Sequence, residues 1–474
     1  RAGRSGGKIM EFEYAKFTPD MKKTHKLLIP NMAPVQFTMV AAAMRHQGFD
    51  AELLGNSGSR VAELGQRYVH NDTCYPALLV IGQFIDALQS GKYDPDHVIL
   101  VISQTGGGCR ASNYIYLLRK ALYKAGFGQV PVASFNFSGL DKSGYPMTLT
   151  FVRSGLTAVY YGDLLCTLRA QTQPYELHSG DAEEKLRKWL GIICKQLEAG
   201  KGYHHGEIKK LMPVIAADFA SIPVKRVPKV KVGVVGEIYV KYSPMANNDL
   251  EEFLRSQDCE VNLPGLMGFL QYCCYNPSET ARLYGGTWGR KHISWLLEKR
   301  LSHTEKLLHD SLVANGFHAA MPFNELSKLP EGIIGMGVKM GEGWLLTAEM
   351  IELVQSGYEN IICAQPFGCL PNHISGKGMI NKIRDEYPNA NITPIDYDPG
   401  ATKVNQENRI KLMLAVAKER LEQKQQGIEP GPVQGDPMSE IPDFSPVCKG
   451  CCDECENFEH EQQEKGGKNK HEKK

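Results

Sequence analysis

No stretch of this sequence approaches the roughly 18 uninterrupted apolar residues that a membrane-spanning helix needs. Residues 1–8 are basic and glycine-rich, with no apolar segment behind them of the kind a secretory leader carries. Charge of one sign is missing too: 54 Lys and Arg stand against 53 Asp and Glu, a net charge of +1 over 474 residues. That balance removes the basic face on which binding to nucleic acid or to a membrane surface relies. There is no G-x-x-x-x-G-K-[ST] string, which argues against a P-loop nucleotide site in this chain. The glycines within residues 233–237 follow an apolar run but lack the dinucleotide-binding spacing. The expectation is a soluble, cytoplasmic protein with no nucleic-acid or membrane partner and no nucleotide of its own. Because the first residue is Arg1 and not Met, a fragment or a processed form is also expected.

Apolar residues make up 42% of the chain, enough for two or three cores at roughly 150 residues each. Thirteen cysteines are an odd number, so complete pairing is impossible, and a chain of this size folds without disulfides. A reducing compartment follows.

Short β-branched runs alternate with longer amphipathic segments, the pattern of α/β layering. The runs at residues 26–29, 97–103 and 131–134 read as strands, with helices over 35–46 and from Ser112 or Asn113 to a stop at Gly126. Residues 151–219 turn helical, most clearly at 160–170 and 182–199. The proline-rich stretch 222–231 reads as a linker. A second unit follows, with strands at 232–235, 360–364 and 391–395 and helices at 247–255, 292–315, 347–356, 376–387 and 404–424. The expected domains are 1–224, 225–425 and a disordered, cysteine-containing tail, 426–474.

Three cysteines share a local context. Cys74 lies in NDTCYP, with Pro76 suited to the first turn of a following helix. Cys109 lies in TGGGCR and Cys369 in QPFGCLPNH, each between an apolar strand and a helix. Loops at the carboxyl ends of parallel strands collect ligands, and helix N-termini favour thiolates. Neighbouring glycines let backbone N–H groups approach cluster sulfurs or an anion. Three such thiolates would cradle an iron-sulfur cluster with one iron open. A cysteine on a glycine-rich loop is also commonly just a small residue, and spacing does not choose between the two. Cys166 and Cys194 fall in apolar helical segments and read as core, and Cys259 and Cys363 sit at strand edges, Cys363 with the alternative reading of filler below the Cys369 loop. Cys273 and Cys274 are open to either reading. Cys448, Cys451, Cys452 and Cys455 form overlapping C-x-x-C units that suit a small metal site or relay without completing a zinc-ribbon pattern. The glycine-rich turns around residues 335–337 and 341–344 read as pocket lining or as plain turns, and His204-His205 as surface.

The strings YVHNDTCYPALLVIGQFIDAL, QTGGGCRASNY and QPFGCLPNHISGKG resemble the dehydratase-like region of the large activase-related proteins, in the superfamily of 2-hydroxyacyl-CoA dehydratases and benzoyl-CoA reductases. The likeness runs over residues 17–421. It implies two flavodoxin-like parallel-sheet domains with a helical connecting section, and a 4Fe-4S cluster on Cys74, Cys109 and Cys369. It also implies a separate iron-sulfur activator of actin-like fold that hydrolyses ATP and delivers a low-potential electron, since no such module is present here. In that family the electron reduces the thioester carbonyl of a 2-hydroxyacyl-CoA to a ketyl radical that expels the hydroxyl group. A related branch carries a double-cubane 8Fe cluster and reduces small molecules, for which Cys273, Cys274 or Cys363 would be further ligands.

The expectation drawn from residues and resemblance together is an oxygen-sensitive lyase or reductase of anaerobic metabolism, acting on an acyl-CoA or another small molecule, as a homo- or hetero-dimer. Gln104, Glu342, Gln365, His373 and Lys377 are the expected donors and proton carriers around the cysteines. The competing expectations are a non-catalytic electron-transfer or scaffold subunit and an acyl-CoA-binding domain without a redox centre.

Overall fold

Aliphatic runs separated by helices cannot form hairpins, so they pair in parallel and bury both faces. In a computed structural model describing residues 14–69, 73–104, 108–136, 144–285 and 288–433, the side chains of 288–293 excepted, they do so twice. Lys26–Ile29 (β1), Asp50–Leu53 (β2), Val98–Gln104 (β3) and Val132–Asn136 (β4) form one four-stranded sheet in the order β2-β1-β3-β4. Val230–Gly236 (β5), Cys259–Asn262 (β6), Asn360–Pro366 (β7) and Asn391–Tyr397 (β8) form a second in the order β6-β5-β7-β8. Every neighbouring pair is parallel. Both sheets belong to one packed unit that ends at Pro430.

Pro34–His46 (α1), Ser59–Tyr68 (α2), Tyr75–Gln89 (α3) and Tyr114–Ala125 (α4) connect the first sheet. Leu149–Thr172 (α5), Asp181–Glu198 (α6) and His205–Ala220 (α7) make the helical section. The second half holds Ile238–Tyr242 (α8), Leu250–Ser256 (α9), Leu266–Tyr284 (α10), Trp288–Val313 (α11), Phe323–Leu326 (α12), Trp344–Gln355 (α13), Leu370–Ser375 (α14), Ile380–Glu386 (α15) and Lys403–Gln425 (α16). Among the described residues no helix is long and apolar enough to cross a membrane.

All six strands expected from apolar runs are present, with boundaries within two residues. The two that were not expected, β2 and β6, are four-residue edge strands (DAEL and CEVN) whose acidic residues interrupt the apolar signal. Residues 222–231 are not a free linker: Val224 bridges Glu176, Lys225 N donates to Tyr175 O at 2.8 Å, and Val230 already begins β5. Charge placed between elements locks the halves together. Asp163 on α5 accepts from Gln36 Nε2 at 2.9 Å and caps α10 through Leu266 N at 3.1 Å and Met267 N at 2.8 Å. Residues 434–474, and with them the tail and Cys448, Cys451, Cys452 and Cys455, lie outside the described residues.

Helix α3 is apolar on nearly every side and is buried from Tyr75 to Leu88 apart from Asp86. It reaches its place because Gly65 and Gly82 let α2 and α3 touch backbone to backbone; a Cβ on Gly82 would run into the Val61 carbonyl oxygen. Since Cys74 starts α3, this crossing sets where its thiol stands. Gly82→Ala is expected to cost about 3 kcal/mol of stability, read as a lower denaturant midpoint with unchanged slope.

Candidate functional site

In an open parallel sheet a ligand crevice forms beyond the carboxyl ends of the two strands where the chain reverses its direction of winding. Those strands are β1 and β3 in the first sheet and β5 and β7 in the second. Cys109 follows β3, Cys369 follows β7, Glu237 follows β5, and Cys74 comes from the turn between α2 and α3. Each cysteine is the N-cap residue of a helical turn: Cys74 of α3, Cys109 of the 3-10 turn Arg110–Asn113, and Cys369 of α14. Prolines in the first turn of α3 and α14 pre-set those starts.

Cross-contacts draw the loops together. Tyr75 N donates to Phe367 O at 3.1 Å. Gly368 has φ 75°, and a Cβ there would lie 3.3 Å from Cys74 Cα, so the Cys369 loop passes over the start of α3 only with glycine at that position. Cys74 Sγ and Tyr114 Oη share a hydrogen bond at 2.7 Å. Gly108 N donates to Met340 Sδ at 3.1 Å, which joins the Cys109 loop to the segment leading into α13.

Cys74 and Cys369 are buried and Cys109 is half-buried. Burial pushes all three thiols up, that of Cys109 to about 11. The charges of Glu342 and Glu237 add to this at Cys109 and Cys369, while at Cys74 the Tyr114 hydrogen bond pulls the other way. Glu342 is 6% exposed and accepts from Ile238 N at 2.9 Å; Glu237 accepts from Val240 N at 2.9 Å. Burial raises both carboxyls, and Glu342 beside it raises Glu237 further. The cations within reach offer little. Arg110 is exposed, and Lys241 is held by Glu349 in a 3.0 Å buried ion pair. Three neighbouring thiols and two carboxyls therefore hold their protons more tightly than usual.

Among the described residues, no three His, Cys, Asp or Glu side chains are placed to share a single metal ion. Cys109 feels both Cys74 and the two carboxylates, and Cys369 feels Cys109.

The other expected residues divide. Gln104 and Gln365 are buried at the ends of β3 and β7; each spends its amide N–H on the chain, to Ser112 O at 2.9 Å and Asp396 Oδ1 at 3.2 Å, and leaves Oε1 without a partner. His373 and Lys377 are exposed beyond Cys369, with Lys377 3.8 Å from Asp396. Cys363 is wholly buried on β7, its Sγ 3.8 Å from Asn372 Oδ1, a packing residue under α14. Cys273 is exposed on α10 and feels Glu342, whereas Cys274 is half-buried and feels Glu298. Residues 70–72 and 105–107 lie outside the described residues. Glu237 and Tyr114 were not expected. Glu237 carried a usable signal, a carboxylate directly after the apolar strand VKVGVVG; Tyr114 carried none.

No protein-family model matches the chain, and comparison with curated proteins returns no match.

The raised carboxyl of Glu237 has a testable consequence in the metal-free protein. Above the ordinary glutamate value of 4.5 the unfolded chain has lost a proton that the folded chain still holds, so stability falls as pH rises through neutrality. Glu237→Gln removes this cost. It is expected to stabilise the metal-free protein by roughly 1 kcal/mol near pH 8 and to be neutral near pH 4, measured by thermal unfolding at both.

Proposed function

We propose that the chain is an iron-sulfur protein of the kind its cysteine motifs resemble, two flavodoxin-like halves holding a 4Fe-4S cluster on Cys74, Cys109 and Cys369. Low-potential electrons would come from a separate ATP-hydrolysing activator in a reducing cytoplasm, and the reaction would be dehydration or reduction of a small carbonyl substrate such as an acyl-CoA thioester.

One observation carries this reading: among the described residues, thiols from three separate helix starts lie within electrostatic reach of one another or of two buried carboxyls, with Arg110 and Lys241 as the cations that act on them. An iron core is the occupant such a donor set accepts, because metal binding displaces thiol protons and offsets the burial of the thiolates. When bound, the group supplies a low-potential electron and, at an iron without a protein thiolate, a Lewis acid. The chain itself does the rest. The three N-cap positions hold the thiolates beside backbone N–H groups of helix starts, those of Ala77, Ala111 and Asn372, which stabilise their charge. Glu237 and Glu342 retain protons where ordinary carboxylates have lost them, which makes them acids suited to hand a proton to a substrate oxygen. Cys74, Cys369 and Glu342 are each under about a tenth exposed, so water is largely kept from the reacting groups.

A second reading, the double-cubane 8Fe cluster with small-molecule reductase activity, is favoured by the exposed thiol of Cys273 within the field of Glu342. Iron and sulfide analysis after anaerobic reconstitution separates the two, at about four or about eight irons per chain. Uptake is expected to weaken steeply as pH falls, because the thiols bind protons in competition with iron, and to release about three protons per cluster. A variant carrying Cys74→Ala, Cys109→Ala and Cys369→Ala is expected to bind no cluster. If it reconstitutes fully, the assignment is wrong.

A further inference from the structure

The two sheets have the same strand order, so β1, β2, β3 and β4 correspond to β5, β6, β7 and β8. The correspondence extends to the site. Cys109 caps the first helical turn after β3, and Cys369 caps the first helical turn after β7. Gln104 and Gln365, at the ends of the same two strands, both turn their amide N–H inward to the chain and leave a buried carbonyl oxygen unpartnered. The helix that precedes the third strand is buried on nearly all sides in each half, α3 before β3 and α13 before β7. Cys74 is the N-cap of α3. The N-cap of α13 is Gly343, and the residue before it is Glu342. Three of the four corresponding helix starts thus carry a thiol at the N-cap, and the fourth has glycine there with a carboxyl one residue earlier.

Local geometry fixes that carboxyl within electrostatic reach of Cys109 and Cys369. Gly343 has φ 47°, a conformation that turns the chain sharply at the start of α13. Ile238 N fixes one carboxyl oxygen at 2.9 Å. Of all the charged groups around Cys109 and Cys369, Glu342 acts most strongly on each. Pro371, two residues past Cys369, lies 3.0 Å from where a Cβ on Gly341 would stand, so the segment bearing Glu342 is packed against α14.

We infer that Glu342 is the second half's counterpart of Cys74 and closes the fourth corner of the site, as an exchangeable carboxylate ligand that a substrate oxygen displaces. The inference rests on the iron-sulfur reading above. A carboxylate binds iron less tightly than a thiolate does and is a hard oxygen donor, so an incoming carbonyl or hydroxyl can replace it without loss of the cluster. Binding as a ligand would release its proton to bulk water; once displaced, the carboxylate would take one proton back from bulk water and stand beside the substrate as an acid.

Wild type, Glu342→Gln and Glu342→Cys are reconstituted anaerobically. Iron and sulfide content, the EPR spectrum of the reduced form and cyanide affinity by EPR titration are then compared, with circular dichroism as the check on folding. Glu342→Gln is expected to keep the full iron content, change the EPR spectrum and bind cyanide about 10-fold more tightly. Glu342→Cys is expected to block cyanide and to give the spectrum of a cluster with four thiolates. If both variants keep the wild-type spectrum and cyanide affinity, Glu342 is no ligand and the inference fails, while the three-cysteine reading stands. If Glu342→Gln does not fold, Glu342→Cys decides alone. If the wild type takes up no iron, both readings fail together.

Discussion

Acidic groups taken out of water hold on to their protons unless a cation replaces the water, and around Cys74, Cys109 and Cys369 this constraint governs the rest. The carboxyls of Glu237 and Glu342 raise the thiols of Cys109 and Cys369, while Arg110 at the surface and Lys241 in its ion pair offset the cost of burial only in part, at Cys74 and Glu342. A site assembled against such a cost needs a stiff frame. The frame consists of two sheets covered by α3 and α13, a glycine-mediated crossing of α2 and α3, and an aspartate on α5 that holds α1 and the start of α10 at once. Groups whose protonation is displaced this far cluster where chemistry is done.

The repeated strand order explains how loops from distant parts of the chain arrive at one place. Each half alone presents a crevice at the carboxyl ends of its strands, with one cysteine after the third strand. Packed as one unit, the halves bring the Cys74 and Cys369 loops into contact through Tyr75 N and Phe367 O, and the starts of α3 and α13 supply the remaining donors. The result is an asymmetric donor set on a nearly symmetric frame: a thiol at the start of α3 in one half and a carboxyl beside the start of α13 in the other.

Much of the frame was legible beforehand. Long apolar runs such as HVILVIS announced the central strands, and Gly126 and Gly357 ended helices where expected, both with positive φ. The loop placement of the three cysteines was equally legible, because strand, glycine-rich turn and helix start are adjacent in sequence. Edge strands β2 and β6 escaped notice because four residues with acidic side chains make no run. The proline-rich stretch does connect α7 to β5, and it is also tied down, because proline forbids helix without forbidding an extended segment that pairs at its edges, as Val224 does.

Composition and local pattern by themselves determined the parallel α/β class, the two halves and the cysteines that start helices, since all of these depend on residues a few positions apart. Tertiary structure alone decided which groups meet. It placed Cys363 in the core and Cys273 in the open, left His373 and Lys377 at the surface, and set Glu342 and Glu237 among the thiols. The physical reason is that burial and proximity come from crossover connections, such as the one that puts Gly108 against Met340 across 232 positions, and no local periodicity encodes a contact of that span.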